Sequence, residues 1–332
     1  MTEPLEVTST VTLSPCEVEF RQTLLVTASL RDTYEHEIAK ATAQLRRRNL
    51  RRQDLPERLL IELAESADLQ YDAILTLLMN PLAAEAVRTN LRSLLESIAQ
   101  VAFVLAKDAK RPVGTKHQRS ICLSLSRARE LEELYEDAYR EKKSGKLSLT
   151  RARKTRALYE SMHAAAGCPW QADPAAWPCR RRGGMHAKLP ATERCAHQQN
   201  WPCRHRGNKP VLPHQLTRVT LEGLERRIWP RQKKRRSLLA MYTTGSVFAH
   251  SSLLAAVLQT TPAGLSTRAA SSFADRYGWL FTAALLYGFF LRWLLAEHPQ
   301  GDVRPLMAWE LGFRRLPGVR DMLAGTLAQR CA

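Results

Sequence analysis

The sequence is short of acidic residues. Asp and Glu together number 32 against 50 Lys and Arg, which gives a formal net charge of +18 and an isoelectric point near 10.0. This charge excludes a preference for cationic partners and favours nucleic acid, anionic lipid or an acidic protein. Arginine outnumbers lysine, which suits phosphate contact through the guanidinium fork; an arginine-rich genome would produce the same bias.

Several motifs that identify enzymes are absent as well. The chain has no GxxxxGK[ST] loop, no GxGxxG after a strand and no GxSxG elbow. Their absence excludes the usual phosphate-loop, dinucleotide and α/β-hydrolase sites. It also has no HExxH pair and no acidic cluster with EF-hand spacing, which argues against a catalytic zinc or a calcium loop.

An apolar leader is missing from the N-terminus. The stretch MTEPLEVTST carries two Glu and no apolar core, so we expect no signal peptide and a cytoplasmic location. Disulfides are rare in a reducing cell, and the seven cysteines are expected to be free thiols or metal ligands.

Helical periodicity is what the sequence does have. With 332 residues and 45% hydrophobic content the chain can form a real core, and no run of useful length alternates as a strand does. Helices are predicted at 17–54, 56–80, 84–110, 118–165 with a break at SGK, 216–228, 237–258, 266–297 and 317–329. The prediction is an all-α helical bundle.

An irregular insert divides this pattern. We predict an N-terminal tail (1–16), a helical first half (17–165), a Cys/Trp/Pro-rich basic insert (166–215), a helical second half completing the bundle (216–300) and a C-terminal segment (301–332). The insert has almost no Leu, Ile or Val, so it cannot form a core helix.

Four cysteines in the insert suggest a structural zinc, because metal ligation would replace the missing apolar core. WPCRRRG (177–183) is echoed by WPCRHRG (201–207). The candidate ligands are Cys168, Cys179, Cys195 and Cys203. Their gaps are longer than those of a standard zinc knuckle, so the alternative is a basic loop whose cysteines are incidental.

Cations and tryptophans are interleaved in and after the insert, which is the pattern of a nucleic-acid surface: cations attract phosphate and indoles stack on bases. The tryptophans are Trp170, Trp177 and Trp201. The predicted phosphate contacts are Arg180, Arg181, Arg182, Arg204, Arg206, Arg231, Lys233, Lys234, Arg235 and Arg236. The alternative is a solvated charge run facing a membrane or an acidic protein.

A polar stripe interrupts the apolar helix that follows. Tyr242, Ser246 and His250 fall four residues apart, on one helical face, and each needs a partner if buried. Arg92 and Glu96, on an otherwise apolar helix, are the natural partners, so we expect the two helices to face each other with Glu96 or Arg92 near His250. The alternative role is a structural network that sets helix register.

The RxxxE pair (Arg92, Glu96) together with YxxxSxxxH (Tyr242, Ser246, His250) resembles uncharacterised bacterial helical proteins of the HEPN type, over about 17–120 and 216–298. The resemblance implies a metal-independent ribonuclease in a defence or toxin context. In that family an Arg and a His four to six residues apart hold phosphate and transfer protons. Here Arg292 with His298 fits that spacing first, and Arg31 with His36 second.

These observations lead to a nucleic-acid-associated helical protein, with His298 and Arg292 as first catalytic candidates and His250 supporting or replacing them. Two alternatives stay open. One is a non-catalytic binding or regulatory protein. The other is a membrane protein with a helical hairpin at 237–296, where long runs carry little charge. RNA or DNA as the ligand, and homodimerisation, are likewise left open.

Overall fold

A computed structural model describes most of the helical sequence and little of the insert. The described residues are 13–47, 55–107, 114–142, 146–168, 178–179, 184–185, 220–221, 224, 238, 242, 260–261, 264–265, 272–297 and 302–331. Predictions at other positions lie outside these ranges.

The described part of the chain is an all-α bundle, as predicted. Its helices are α1 (Pro15–Arg47), α2 (Leu55–Leu78), α3 (Ala84–Val104), α4 (Lys116–Lys142), α5 (Lys146–Ala165), α6 (Phe273–Ala296), α7 (Arg304–Arg315), α8 (Pro317–Ala324) and α9 (Leu327–Arg330). Two antiparallel pairs of two residues each accompany them, Pro178–Cys179 (β1) with Gly184–Met185 (β2) and Thr260–Thr261 (β3) with Gly264–Leu265 (β4).

Helix α3 shows why these residues form a bundle. Its apolar side chains recur at i, i+3 and i+4, and this face is buried against α2, α4 and α6. The buried set includes the predicted residues Val87, Leu91, Leu94, Leu95, Ile98, Val101, Ala102 and Leu105.

Helix α3 ends earlier than predicted. It stops at Val104, where the spacing suggested 110, because Ala106 adopts a left-handed conformation with φ 55°. The backbone N–H of Lys107 then donates to the carbonyl of Ala102 at 2.8 Å, and that of Ala106 donates to Phe103. This arrangement satisfies carbonyls at the helix end, usually with glycine at the left-handed position.

Helix α6 lies at the centre of the bundle and packs against α1, α2 and α3. It begins at Phe273, later than the predicted 266, because Ser272 caps it: the Ser272 hydroxyl accepts from the backbone N–H of Asp275 at 3.1 Å. By length and composition α6 is the one helix among the described residues that could cross a membrane, and 56% of its most apolar window is buried by the bundle. Of the first helix of the predicted hairpin (237–258), Leu238 and Tyr242 are described.

Arg276, in the first turns of α6, joins three helices although its side chain is only 3% exposed. The guanidinium donates to the Glu17 carboxylate of α1 at 2.7 Å and to the carbonyl of Leu78 at 2.8 Å. Leu78 is the last residue of α2, whose final turn contains no basic side chain. Arg276 therefore supplies the positive charge that favours a helix C-terminus.

The second half of the chain contributes to the same core as the first. Thr220, Leu221, Leu224 and Leu238 have helical backbone and are buried. The three leucines belong to the hydrophobic cluster that also contains residues of α1, α2, α3 and α6. The two halves of the sequence therefore share one apolar interior.

The C-terminal segment is helical over a stretch that the sequence analysis did not assign. Helix α7 buries Leu306 and Phe313, and Trp309 stacks on Phe313 with ring centroids 4.9 Å apart. Helix α8 brings Gly318 against Tyr277, where a Cβ atom would overlap the tyrosine ring.

The expectation of cysteines without disulfides is wrong for one pair. Cys16, at the start of α1, is bonded to Cys331, with the Cα atoms 6.0 Å apart and a sequence separation of 315. Residue composition predicts the redox compartment only indirectly, whereas packing of α8 and α9 beside α1 and α6 brings these two thiols together.

Candidate functional site

The polar face of α3 carries the first half of the predicted site. Arg92 and Glu96 lie one turn apart and form an ion pair, with the Arg92 Nε atom 3.1 Å from Glu96 Oε1. Their side chains are 18% and 34% exposed. Both therefore remain partly accessible to water.

Tyr242, from the second half of the chain, contacts this ion pair. The guanidinium carbon of Arg92 lies 5.3 Å from the centre of the Tyr242 ring, a cation–π contact. Burial raises the pKa of Tyr242, the nearby Glu96 carboxylate raises it further, and Arg92 acts in the opposite direction. We call Arg92, Glu96 and Tyr242 the polar seam. Ser246 and His250, the other members of the stripe, lie outside the described residues, so their place in the seam stays a prediction.

Helix α4 adds polar groups that the sequence analysis did not single out. Partial burial raises the pKa of Glu130, and the charges of Glu96 and Glu133 raise it further. Arg127, one turn earlier, donates to Gln100 Oε1 on α3 at 2.6 Å. The available sequence signal was the three-residue spacing of Arg127 and Glu130 on one helix. No local pattern relates either residue to Glu96.

The two Arg/His pairs are in different surroundings from the seam. Arg292 forms an ion pair with Glu310 of α7 and stacks over Phe289. Arg31 is held by Asp68 at 3.2 Å and by Asp72 at 2.8 Å. Both guanidinium charges are therefore compensated by carboxylates. His298 lies outside the described residues.

Asp68 also anchors a buried tyrosine pair that the sequence did not reveal. The Tyr287 hydroxyl donates to Asp68 Oδ1 at 2.8 Å, and the Tyr71 hydroxyl donates to the Thr27 carbonyl at 3.0 Å. The two rings stack with centroids 4.1 Å apart. Burial raises the pKa of both phenols. Both hydroxyls are hydrogen-bonded, and this network sets how α1, α2 and α6 pack.

Three side chains of types that can bind a metal lie where the start of α4 meets the end of α5. Cys122 of α4, His163 in the last turn of α5 and Cys168 just beyond it place their ligand atoms within 4.8 Å of one another. Burial raises the pKa of both thiols. This group could hold a metal ion.

Only one of the four predicted metal ligands belongs to this group. Cys168 does, whereas Cys122 and His163 were not predicted. Cys179 lies in β1, and nothing is described of its side chain. Cys195 and Cys203 lie outside the described residues, as do all the arginines and lysines predicted to contact phosphate.

The chain was also compared with known proteins. No protein-family model matches it, and neither curated proteins nor solved structures contain a match.

Proposed function

We propose that this protein binds RNA and cleaves it at the polar seam by acid–base chemistry, in the manner of the HEPN-type bundles it resembles. We further propose a cytoplasmic location and a zinc ion bound by the chain. The observation that carries the proposal is the meeting of Arg92, Glu96 and Tyr242 from two distant parts of the sequence.

The distribution of charge supports a polyanionic partner. Residues 169–236 hold sixteen Lys and Arg against four Asp and Glu, so this stretch contributes +12 of the net +18. In the described helices many arginines face carboxylates, for example Arg129 with Glu160 and Arg314 with Glu310. The excess is therefore concentrated between Cys168 and Tyr242, and uncompensated cations attract phosphates through counterion release.

The basic stretch adjoins the polar seam in the sequence. The cluster RQKKRR (231–236) ends six residues before Tyr242, which contacts Arg92. Six residues span about 20 Å when extended and about 9 Å when helical. A strand bound by this cluster would therefore have phosphates within reach of the seam.

The residue types of the seam, together with His250 of the same predicted stripe, suit phosphodiester cleavage. In the reaction we propose, His250 removes the proton of a ribose 2′-hydroxyl, whose oxygen attacks the adjacent phosphorus. The P–O5′ bond breaks, and the leaving 5′-oxygen takes a proton from the Tyr242 hydroxyl. Arg92, oriented by Glu96, stabilises the charge that develops on the phosphate oxygens. The phenol is protonated at neutral pH, as a proton donor requires, because the ordinary pKa of tyrosine is near 10 and burial raises that of Tyr242.

His250 replaces His298 as first choice in this proposal. The partner expected for His298 was Arg292, and that guanidinium is bound to Glu310. Arg92 is also paired, with Glu96, but it contacts Tyr242 of the predicted polar stripe, whereas the ring that Arg292 contacts, Phe289, lies on its own helix. Arg292 and Arg31 are both paired with carboxylates. This pairing favours the second candidate function, which is nucleic-acid binding without cleavage.

Cleavage of total RNA tests the proposal. We expect the wild-type protein to release fragments ending in 2′,3′-cyclic phosphate, and His250→Ala and Glu96→Gln to reduce the rate at least about 100-fold. Glu85→Gln is the matched control, because Glu85 is an exposed carboxylate on the same helix, and it should cleave like the wild type. Both site variants should retain RNA affinity, measured by fluorescence anisotropy.

Two results would contradict the enzyme proposal. Equal cleavage by wild type and both site variants would show that the polar seam takes no part in cleavage. A wild type that binds RNA with a steep salt dependence and releases no fragments would identify the non-catalytic function.

A further inference from the structure

The end of α5 is folded so that Cys168 returns towards the helix. Gly167 adopts φ 56°, in the left-handed region. The backbone N–H of Cys168 donates to the His163 carbonyl at 3.3 Å, and that of Gly167 donates to Ala164 at 3.2 Å. These two bonds form a Schellman motif, which reverses the chain at a helix C-terminus. The motif holds the backbone of Cys168 against the last turn, where His163 lies.

Helix α4 holds this turn from the other side. The Gln118 side-chain amide donates to the carbonyls of Ala166 at 2.9 Å and Gly167 at 3.2 Å. The Cys168 thiol in turn contacts the Gln118 carbonyl, with sulfur and oxygen 3.8 Å apart. Cys122 lies one turn after Gln118, on the same face of α4. These hydrogen bonds hold the turn that carries Cys168 against α4, the helix that carries Cys122.

We propose that Cys122, His163 and Cys168 bind one zinc ion. Two thiolates and an imidazole are ligands that zinc prefers. In a tetrahedral site with Zn–S near 2.3 Å, neighbouring sulfur atoms lie about 3.8 Å apart. The ligand atoms here are within 4.8 Å, so side-chain rotations suffice to close the site. The proposal does not depend on RNA cleavage and is tested without it.

The zinc would fix the point where the basic stretch leaves the bundle. Cys168 is the last described residue before that stretch, and α4 carries the opposing ligand. Three protein ligands leave a fourth position of the tetrahedron.

Metal content of the purified full-length chain is the first measurement. After loading with Zn²⁺ under reductant and dialysis, we expect about one zinc per chain, and Co²⁺ in its place should give the absorption bands of tetrahedral thiolate ligation. Cys168→Ser and His163→Gln should each lower the bound metal at least tenfold. His36→Gln, which removes an exposed histidine of α1 outside the group, is the control and should bind as the wild type does.

Cys122 is buried in the core, and its substitution could reduce folding. His163 is only half-buried, so His163→Gln, checked by circular dichroism, keeps the test decisive. A wild-type protein without cobalt–thiolate bands would overturn the proposal. So would full zinc retention in folded His163→Gln and Cys168→Ser with loss in Cys195→Ser, because that pattern places the metal wholly within the insert.

Discussion

The buried ion pair between Arg276 and Glu17 offers the sharpest test of how the bundle is held together. We consider Glu17→Gln, which keeps the shape of the side chain and removes its charge. The Arg276 guanidinium is 3% exposed and the Glu17 carboxylate 14% exposed. Removing one partner of a buried pair costs about 3–5 kcal/mol, because the remaining charge stays desolvated. Glutamine still accepts one hydrogen bond, so we expect about 3 kcal/mol.

The chain offers a matched control for this substitution. Arg21 contacts the same Glu17 carboxylate at 3.1 Å but is 40% exposed. Because exposed ion pairs contribute at most about 1 kcal/mol, Arg21→Gln should change the free energy of unfolding by less than that. Unfolding in urea, followed by circular dichroism, measures both variants, provided that the slope against urea is unchanged.

A double-mutant cycle separates the interaction from the cost of each change. Arg276→Met fills the site with an apolar chain of similar length, and Glu17→Leu removes the charge on the other side. Replacing both partners should cost at least about 1 kcal/mol less than the sum of the single costs. Additive costs, or a Glu17→Gln cost no larger than that of Arg21→Gln, would refute the assignment of Arg276 as the link among three helices.

The pair also predicts a pH dependence. The hydrogen bond from Arg276 is the largest influence that lowers the pKa of Glu17. A lowered pKa in the folded state contributes stability above the unfolded value of about 4.3, and this stability is lost as the pH falls through the folded value. The stability difference between wild type and Glu17→Gln should therefore shrink on acidification below about pH 4.

Three further predictions concern other parts of the fold. Ala106 has φ 55°, and Ala106→Gly should stabilise the protein by about 0.5–1 kcal/mol in urea unfolding, because glycine adopts this conformation without strain; a loss would refute that strain. Cys16→Ser, or reduction of the bond to Cys331, should lower the free energy of unfolding by about 2–5 kcal/mol, with no change expected on reducing the variant. Because the pKa of Glu130 is raised, the folded state loses stability as the pH rises from the unfolded value of about 4.3 through the folded value. Wild type should therefore lose stability relative to Glu130→Gln over this range, and parallel pH profiles would contradict this.

Local patterns in the sequence predicted most of the helices. The apolar face of α3 and the break between α4 and α5 are visible within a few residues, because helical periodicity and glycine–serine breaks are local signals. Helix α7 buries only Leu306 and Phe313, so its period is too weak to stand out. The end of α3 depends on an alanine in a conformation that favours glycine, which sequence patterns do not predict.

Contacts between distant residues were predicted only where a polar residue was out of place. Arg92 on an apolar helix and Tyr242 in an uncharged run each required a partner, and that requirement related them. Nothing in the sequence around Cys122 or His163 requires a distant partner, since a single cysteine or histidine on a helix is ordinary. The bond from Cys16 to Cys331 joins residues 315 positions apart, a distance at which sequence spacing contains no information about proximity.

That bond turns residues 16 to 331 into a covalent ring. A protease that cut the chain once within the insert would leave a single molecule, which separates into two pieces only after a thiol reductant is added. The ring also brings the natural ends of the bundle together, so a short linker between them would permit new termini to be opened in the insert. Such a permuted chain would present the basic stretch as two free arms on an unchanged helical body.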